Sequence, residues 1–337
     1  MKRLVQIFFF LFSFSTVVSQ QITFERYYDT LNCFSGSSVQ QTFDKGFIVT
    51  GVHSVSMFNN NVVLFKTDSI GDLIWIKSYG GPNNDGGQCV KQTNDSGYIV
   101  VGTKDIISTS DSKIWLLKTD KNGDTLWTKA ITAGLGANIG YYVEQTADTG
   151  YIICGYTSVT VSGNYDAFLI KTNLYGDTLW TRKYGGPIGN AAFCVRQTTD
   201  GGYIVAGSYG VAPFNADVFA IKTDPNGDTL WTKKYGGYRG DAAYCVDLTS
   251  DGGYIFGGMT TSFSDTVFWD MYLVKTDVNG DTLWTKDIWF PRSDNIYSIK
   301  QMSDNGYMII GNRNLFPIQE GGVAIVRTDA VGDTLWT

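Results

Sequence analysis

A repeat of 51 to 53 residues runs through almost the whole chain and limits its fold more than any other feature. Each copy has a Gly-Tyr or Gly-Phe step in its first half and a Gly-Asp-x-x-Trp step in its second half. The repeat tryptophans are Trp75, Trp127, Trp180, Trp231, Trp284 and Trp336. A period of this length that contains strands and turns is typical of β-propellers. The sequence therefore predicts six copies of one supersecondary unit.

One copy, over residues 191–234, indicates what each unit contains. Residues 193–198 alternate as a half-buried strand does, and residues 203–207 are almost wholly apolar, as in a strand buried on both faces. Residues 217–223 and 228–235 flank an Asp-Pro-Asn-Gly hairpin turn. Four antiparallel strands in one repeat make one propeller blade. The predicted fold is therefore all-β, a β-propeller of four-stranded antiparallel blades with six repeat units.

The 337 residues are expected to comprise a leader and a single propeller domain. Residues 1–19 join Lys2-Arg3 to an apolar run and a small-residue cleavage site, the pattern of a secretory signal peptide. The domain at residues 20–337 divides into units near 29–79, 80–131, 132–184, 185–235, 236–288 and 289–337. Residues 22–28 match a fourth strand, while the last fourth strand stops at Thr337. Either the N-terminal segment extends or closes the last blade and gives a six-bladed ring, or the chain is a fragment that lacks a further blade, which would make seven, or a C-terminal sorting domain.

Composition favours an exported all-β protein. Glutamate occurs only at Glu25, Glu144 and Glu320, whereas the chain has 39 glycines, and Asp and Gly favour turns over helices. The formal charge is −6 and there is no basic stripe, so nucleic acid is not expected as a partner. No segment after the leader is long and apolar enough to predict a transmembrane helix. We expect a monomer that is secreted or held at the cell surface.

The blade motifs also resemble known families. The pattern D-x-x-G-x-x-x-W, with D-G-x-Y-I-V-x-G before it, resembles the repeat of the quinoprotein-dehydrogenase-like propellers. The units G-D-T-L-W-T-K and D-G-G-Y-I-V-x-G are more similar to secreted bacterial β-propeller repeat proteins, many of which are cargo of the type IX secretion route. The resemblance implies the propeller fold and export. Six units instead of eight, and no adjacent cysteine pair, differ from the quinoprotein dehydrogenases, so no cofactor is expected.

The connections between strands indicate which face of the propeller binds a ligand. The turns after the first and third strands are uniform, whereas the connections after the second and fourth strands vary and emerge together on one face, here called the variable face. Variable loops on a rigid scaffold are where binding sites usually lie. Aromatic and arginine residues that the repeat does not require occur in these loops, where they either bind a ligand or pack on one another: Phe214, Tyr238, Arg239, Trp269, Trp289, Phe290, Arg292 and Phe316.

A second candidate set precedes the first strands. Its members lie four residues before the first-strand position that is Cys or Ser in five of the six units: Asp85, Asn138, Asn190, Asp241 and Asp294, with Phe34 in the first unit. They either ring the channel mouth and bind a cation or a polyhydroxylated ligand, or each caps a local turn. The repeat tryptophans are expected to pack blade against blade, and the cysteines to be small buried residues without disulfides. No metal site is predicted, since the T-D-x-N-G-D turn is too short to supply six to eight oxygen ligands.

These patterns favour a non-catalytic binding propeller whose ligand is a polysaccharide or a protein at the cell surface. The parts of an enzyme are scarce, because His53 is the only histidine and no G-x-S-x-G motif occurs. One alternative is a carbohydrate-active hydrolase that uses carboxylates near the channel mouth, from Asp85, Asp241, Asp294 or Glu320. Another is a structural spacer module. No residue is singled out as catalytic.

Overall fold

The computed structural model describes residues 26, 28, 34–56, 59–106, 112–158, 164–186, 188–210, 215–263, 268–290, 293–314 and 321–337. These residues form six four-stranded antiparallel sheets, which confirms the predicted all-β, six-bladed propeller. The strands in chain order are β1 (Phe34–Gln41), β2 (Phe47–Ser56), β3 (Asn59–Thr67), β4 (Leu73–Tyr79), β5 (Asn84–Gln92), β6 (Tyr98–Ile106), β7 (Lys113–Thr119), β8 (Thr125–Ile131), β9 (Asn138–Gln145), β10 (Tyr151–Ser158), β11 (Tyr165–Thr172), β12 (Thr178–Tyr184), β13 (Asn190–Gln197), β14 (Tyr203–Tyr209), β15 (Asp217–Thr223), β16 (Thr229–Tyr235), β17 (Asp241–Leu248), β18 (Tyr254–Thr260), β19 (Asp270–Thr276), β20 (Thr282–Ile288), β21 (Asp294–Gln301), β22 (Tyr307–Asn314), β23 (Gly321–Thr328) and β24 (Thr334–Trp336). No helix in this part of the chain is long and apolar enough to cross a membrane.

The first strand of each blade lies innermost. The first strands contact one another from blade to blade, in the order β1, β5, β9, β13, β17 and β21, whereas the main contacts of each fourth strand are with the third strand of its own sheet. The core lies between neighbouring sheets, where the apolar second and third strands are buried. Side chains that leave the first strand on its inner side therefore face the central channel.

The repeat tryptophan packs each blade against the next one. In β16 the ring of Trp231 lies 6.1 Å from the ring of Tyr254, measured between centroids. It also covers Gly280, whose φ of +77° suits glycine and whose missing Cβ would lie 2.8 Å from Cη2 of Trp231. The Tyr235 hydroxyl donates to the carbonyl oxygen of Gly280 at 2.7 Å. Corresponding ring contacts join four other tryptophans to the following blades: Trp75, Trp127, Trp180 and Trp284.

A buried lysine stabilises the Asp-x-Gly turn on the uniform face of the blade. Nζ of Lys222 lies 2.8 Å from Oδ2 of Asp200 and 2.9 Å from the carbonyl oxygen of Thr223. The Asp200 carboxylate also accepts the backbone N–H of Gly202 at 3.0 Å. A buried ammonium needs such partners, which explains why the turn hardly varies. The same ion pair is made in the other blades by Lys66, Lys118, Lys171 and Lys275, and by Arg327 in the sixth.

The sixth blade has an apolar face that none of the described residues covers. Val323 in β23 is 76% exposed, whereas its equivalent in the fourth blade, Val218, is 1% exposed. Ile325 and Trp336 are exposed for the same reason. Trp336 therefore differs from the other repeat tryptophans, which are partly buried between blades.

Two residues of the N-terminal segment that resembles a fourth strand are described, and both contact the first blade. Tyr28 donates its hydroxyl hydrogen to the carbonyl oxygen of Gly71 at 2.7 Å, and Arg26 pairs with Asp72 at 3.1 Å. Tyr235 in the fourth strand of the fourth blade makes the same contact with a hairpin glycine of the fifth blade. Arg26 and Tyr28 thus contact the first blade as residues of the fourth strand of a preceding blade would.

Candidate functional site

The Asp and Asn side chains that precede the first strands are buried, and those whose contacts are resolved hold the incoming loop. Oδ1 of Asn138 accepts the backbone N–H groups of Ala133 and Gly134 at 2.8 and 3.0 Å, and its Nδ2 donates to the carbonyl oxygen of Gly136. This is the turn-capping arrangement, and it removes these groups from the channel surface. All five members are no more than 1% exposed: Asp85, Asn138, Asn190, Asp241 and Asp294.

Asp241 is the member of this set that has a raised pKa and two resolved hydrogen bonds to one carboxylate oxygen. Its Oδ2 accepts the backbone N–H of Gly237 at 2.8 Å and the hydroxyl of Ser262 at 2.7 Å. Burial raises the pKa of Asp241 above the usual range of an aspartate, these hydrogen bonds and one from Thr260 lower it, and the charge of Asp217 raises it further. The net result is a raised pKa, so Asp241 holds a proton more readily than an ordinary carboxylate.

Asp217 is a second carboxylate beside Asp241, and the sequence did not single it out. It is the first residue of β15 and is partly exposed on the variable face. The backbone N–H of Asp241 donates to the carbonyl oxygen of Ala216 at 2.6 Å, which joins the two carboxyl-bearing segments across the boundary between the fourth and fifth blades. A buried, proton-holding carboxyl group therefore lies behind an accessible one.

The repeat provides a comparison for this pair. The position of Asp217 is occupied by Asp166 in the third blade and by Asp270 in the fifth, and the residue that follows in the next first strand is Asn190 or Asp294. The neighbouring first-strand side chain is thus the amide of Asn190 for Asp166 and the carboxyl group of Asp241 for Asp217. Asp270 differs from both because it is buried. Among these positions Asp217 alone combines a carboxyl neighbour with exposure to solvent.

The loop aromatics have different surroundings. Tyr238 and Trp289 are exposed, Trp269 is partly buried, and Phe290 is buried in the core of the fifth and sixth blades. The Arg239 guanidinium lies 5.2 Å from the ring of Tyr238, so these two side chains pack on one another. The remaining candidates Phe214, Arg292 and Phe316, and the alternative carboxylate Glu320, lie outside the described residues.

Each first strand contains a β-bulge, and the extra residue of the bulge lines the channel. In all six blades two residues of the first strand stand opposite one residue of the second strand. Because the first strands are innermost, the unpaired residue is turned towards the centre. The bulge residues are Ser37, Gln88, Tyr141, Phe193, Tyr244 and Tyr297.

Four successive bulge residues are aromatic and form a continuous row of rings. The centroid of Phe193 lies 5.2 Å from those of Tyr141 and Tyr244, and Tyr297 follows at 5.8 Å from Tyr244. Tyr156 extends the row on the variable face, 5.7 Å from Tyr141. Tyr165, at the start of β11, ends the row 4.8 Å from Tyr156. These six residues are called the aromatic track: Tyr165, Tyr156, Tyr141, Phe193, Tyr244 and Tyr297.

Sequence reasoning missed the aromatic track, although a signal for it was present. The track residues of the first strands come directly before the position that is Cys or Ser in five of the six units, and in four of six copies the track position is aromatic. Simple alternation along β13 gave no reason to expect Phe193 to leave the blade core. The bulge that turns Phe193 towards the channel cannot be recognised from the sequence of a single strand. The four described cysteines are free and buried: Cys89, Cys154, Cys194 and Cys245.

Comparison with known proteins places the fold among propellers of several activities. No family model matches the chain. The regulatory protein FlaEY of Caulobacter vibrioides is 25% identical over 237 residues, which is 62% of this chain and 24% of that protein, so the chain spans about a quarter of this curated relative. The α-L-arabinofuranosidase Arb93A of Fusarium graminearum superposes with a TM-score of 0.57 at 12% identity over 86% of this chain and 92% of that one.

Two further solved structures match at similar levels. The α-L-arabinanase of Penicillium chrysogenum has a TM-score of 0.56 at 11% identity and covers 87% of this chain and 92% of its own. Puromycin hydrolase has a TM-score of 0.54 at 12% identity and covers 89% of this chain but 46% of its own. At identities this low, the structural likeness shows a shared fold and not a shared activity.

The comparisons correct the function expected from sequence. Two propellers that match this one over 92% of their own length are an α-L-arabinofuranosidase and an α-L-arabinanase, whereas the sequence had favoured a non-catalytic binding propeller. The correction favours the hydrolase alternative. The scarcity of histidine does not exclude this alternative, because hydrolysis of a glycosidic bond needs only two carboxyl groups.

Proposed function

We propose that this chain is a carbohydrate-active hydrolase that cleaves glycosidic bonds at the variable face of the propeller. The observation that carries the proposal is the pair of unlike carboxyl groups, Asp217 and Asp241. Glycosidases commonly use one carboxyl group that holds a proton and a second that is ionised. Asp241 has the raised pKa of the first kind, and Asp217 is the accessible group beside it.

In the proposed reaction Asp217 meets the substrate. Its carboxylate takes a proton from the water molecule that attacks the sugar carbon of the bond to be cleaved. Asp241 is buried and does not meet the substrate itself, so the proton that the leaving oxygen gains passes from Asp241 through a water molecule. Ser262 and the Gly237 amide hold the Asp241 carboxyl group in place. No cofactor or metal is needed for this chemistry.

Two further observations support the proposal. The matching arabinofuranosidase and arabinanase consist almost wholly of the shared propeller, so arabinan is the first substrate to try. The signal-peptide pattern at residues 1–19 and the resemblance to secreted repeat proteins favour action outside the cell on a polysaccharide.

The test measures reducing ends released from soluble arabinan, galactan and xylan by residues 20–337 and by three variants. Asp217→Asn and Asp241→Asn are expected to lower the rate at least about 100-fold. Asp166→Asn is the matched control, because Asp166 occupies the same repeat position but has Asn190 instead of a carboxyl neighbour, and its rate should stay near that of the unmodified protein.

The chain itself indicates that Asp241→Asn can fold, since Asn138 and Asn190 occupy the same position in two other blades. A loss of activity at an unchanged Tm would therefore report on chemistry. The proposal fails if none of the three polysaccharides is cleaved, or if Asp166→Asn and Asp217→Asn lose activity equally.

A further inference from the structure

We infer that the aromatic track is a binding platform for several consecutive sugar rings of a glycan chain, which enters over Tyr165 on the variable face and continues along the wall of the central channel. The inference makes the substrate of the proposed hydrolase a glycan chain and not a single sugar, and this part of it rests on the proposed function. Binding along the track can nevertheless be measured without any cleavage.

The fold does not require aromatic rings at the bulge. The first and second blades have Ser37 and Gln88 at the same position, with the same bulge and the same strand pairing. The third to sixth blades form their bulges in the same way with Tyr141, Phe193 and Tyr244 among the extra residues. Since a serine is sufficient for the architecture, the aromatic side chains need another explanation.

The track is also not a plug of core packing. The structural tyrosines of the second strands, such as Tyr151 and Tyr203, are about 1% exposed. In contrast, the rings at the two ends of the track are open to solvent, with Tyr297 at 57% and Tyr165 at 37%, and the rings between them are partly buried. A row of rings that are held in place by their neighbours and yet accessible is suited to contact with a ligand.

The chemistry of the channel wall fits a sugar chain. Aromatic rings offer flat apolar surface, and tyrosines add hydroxyl groups at its edge. The bulges of the first and second blades carry the polar side chains of Ser37 and Gln88 at the equivalent position. A sugar ring likewise has an apolar face of C–H groups and a rim of hydroxyls, so one side of it can pack on the track while the other forms hydrogen bonds. Burial raises the pKa of Tyr244 to about 12, so its hydroxyl group remains a neutral hydrogen-bond donor.

The carboxyl pair and the track are close along the chain and in the fold. Asp241 and Tyr244 belong to the same strand, β17, with the carboxyl group at its start on the variable face. Asp217, at the start of β15, is partly exposed on this same variable face, from which the glycan would enter. The geometry predicts that affinity increases with the length of the glycan until the track is filled.

The experiment measures binding of arabino-oligosaccharides of two to eight units, and of soluble arabinan, galactan and xylan, to the inactive Asp217→Asn protein by isothermal calorimetry. Phe193→Ser and Tyr244→Ser introduce the residue that the first blade already has. Each is expected to weaken binding of the longest ligand that binds about two- to tenfold. Tyr165→Ser should weaken binding of long ligands and leave that of the shortest unchanged. Tyr175→Ser is the control, since Tyr175 is exposed on an outer hairpin away from the track.

The outcomes separate the two proposals. Length-dependent binding that the track variants weaken, with no cleavage by the unmodified protein, would support the track and refute the hydrolase. Cleavage that depends on Asp217, with binding unaffected by the track variants or weakened as much by Tyr175→Ser, would refute the track alone. If a serine variant fails to fold, Phe193→Gln and Tyr244→Gln reproduce the residue of the second blade and carry the same expectation. Absence of binding to every ligand tested would overturn the inference.

Discussion

The contact between the repeat tryptophan and the hairpin glycine of the next blade can be tested with one methyl group. Gly280 and Gly252 both have left-handed backbone conformations, with φ of +77° and +83°. A Cβ on Gly280 would lie 2.8 Å from Cη2 and 3.0 Å from Cζ2 of Trp231, whereas a Cβ on Gly252 meets nothing within 4 Å. The two glycines therefore share backbone strain on substitution and differ in packing.

The expected magnitudes follow from that difference. An L-residue in the left-handed region costs about 1–2 kcal/mol, so Gly252→Ala should lower the free energy of unfolding by this amount. Gly280→Ala carries the same cost plus that of overpacking against a large rigid ring, about 1–3 kcal/mol. For a domain of about 300 residues, 1 kcal/mol corresponds to roughly 1.5 °C in Tm. Gly252→Ala should lose about 2 °C and Gly280→Ala about twice that or more.

The assay is differential scanning calorimetry of residues 20–337 and the two variants in the same buffer. Equal losses of Tm would refute the view that Trp231 and Gly280 form a close-packed boundary between blades. The double variant Gly280→Ala with Trp231→Phe offers a further check, because removing the clashing part of the ring should recover part of the loss that the alanine causes.

Two further predictions concern the Asp-x-Gly turns on the uniform face. Thr149 has φ of +69°, an unfavourable value for a β-branched residue, and the fourth and fifth blades have Gly201 and Gly252 at this position. Thr149→Gly should therefore raise the free energy of unfolding by about 0.5–1 kcal/mol and increase Tm. A decrease in Tm would contradict this account. Although burial acts to raise the pKa of Asp200, hydrogen bonds from Lys222 and Thr198 lower it to about 2. The ionised Asp200 carboxylate therefore stabilises the fold fully above the ordinary carboxyl pKa of about 3.9, and this stabilisation is lost as pH falls towards 2. Asp200→Asn should have a lower Tm than the unmodified protein at pH 6, and the difference in Tm should disappear near pH 2. The difference is expected to be small because Asp200 is mostly exposed, and a difference that does not change with pH would refute the assignment.

The fold could be predicted from sequence because the repeat supplied the same information six times. The third strand at residues 217–223 was predicted with the bounds that the structure has, and the second strand of that unit was predicted from Tyr203 and extends two residues further, to Tyr209. Alternation, Asn-Gly turns and apolar runs are local properties, and a local reading is sufficient for them.

The site could be predicted only in part, because its parts come together through contacts between blades. Asp241 was singled out by its repeat position, but the raised pKa depends on burial and on Asp217, which belongs to the preceding blade. Phe193 was assigned to a strand, and only pairing with β14 shows that a bulge turns it into the channel. Neither the partner of a carboxyl group nor the face of a bulged residue is a property of a single strand.

Differences among the six copies carry the functional information in this molecule. The buried lysines, the Asp-x-Gly turns and the repeat tryptophans recur because each blade needs them to fold and to pack. The bulge position is occupied by Ser37, Gln88 and Phe193 in different blades, so folding does not require one particular residue there. Asp166 and Asp217 likewise occupy the same repeat position but have different neighbouring side chains. Where the architecture tolerates several residues, the residue found in one blade and not in another reflects what that blade contributes beyond the fold. This criterion is the reason for proposing a ligand surface on the third to sixth blades and reactive carboxyl groups at the boundary of the fourth and fifth blades.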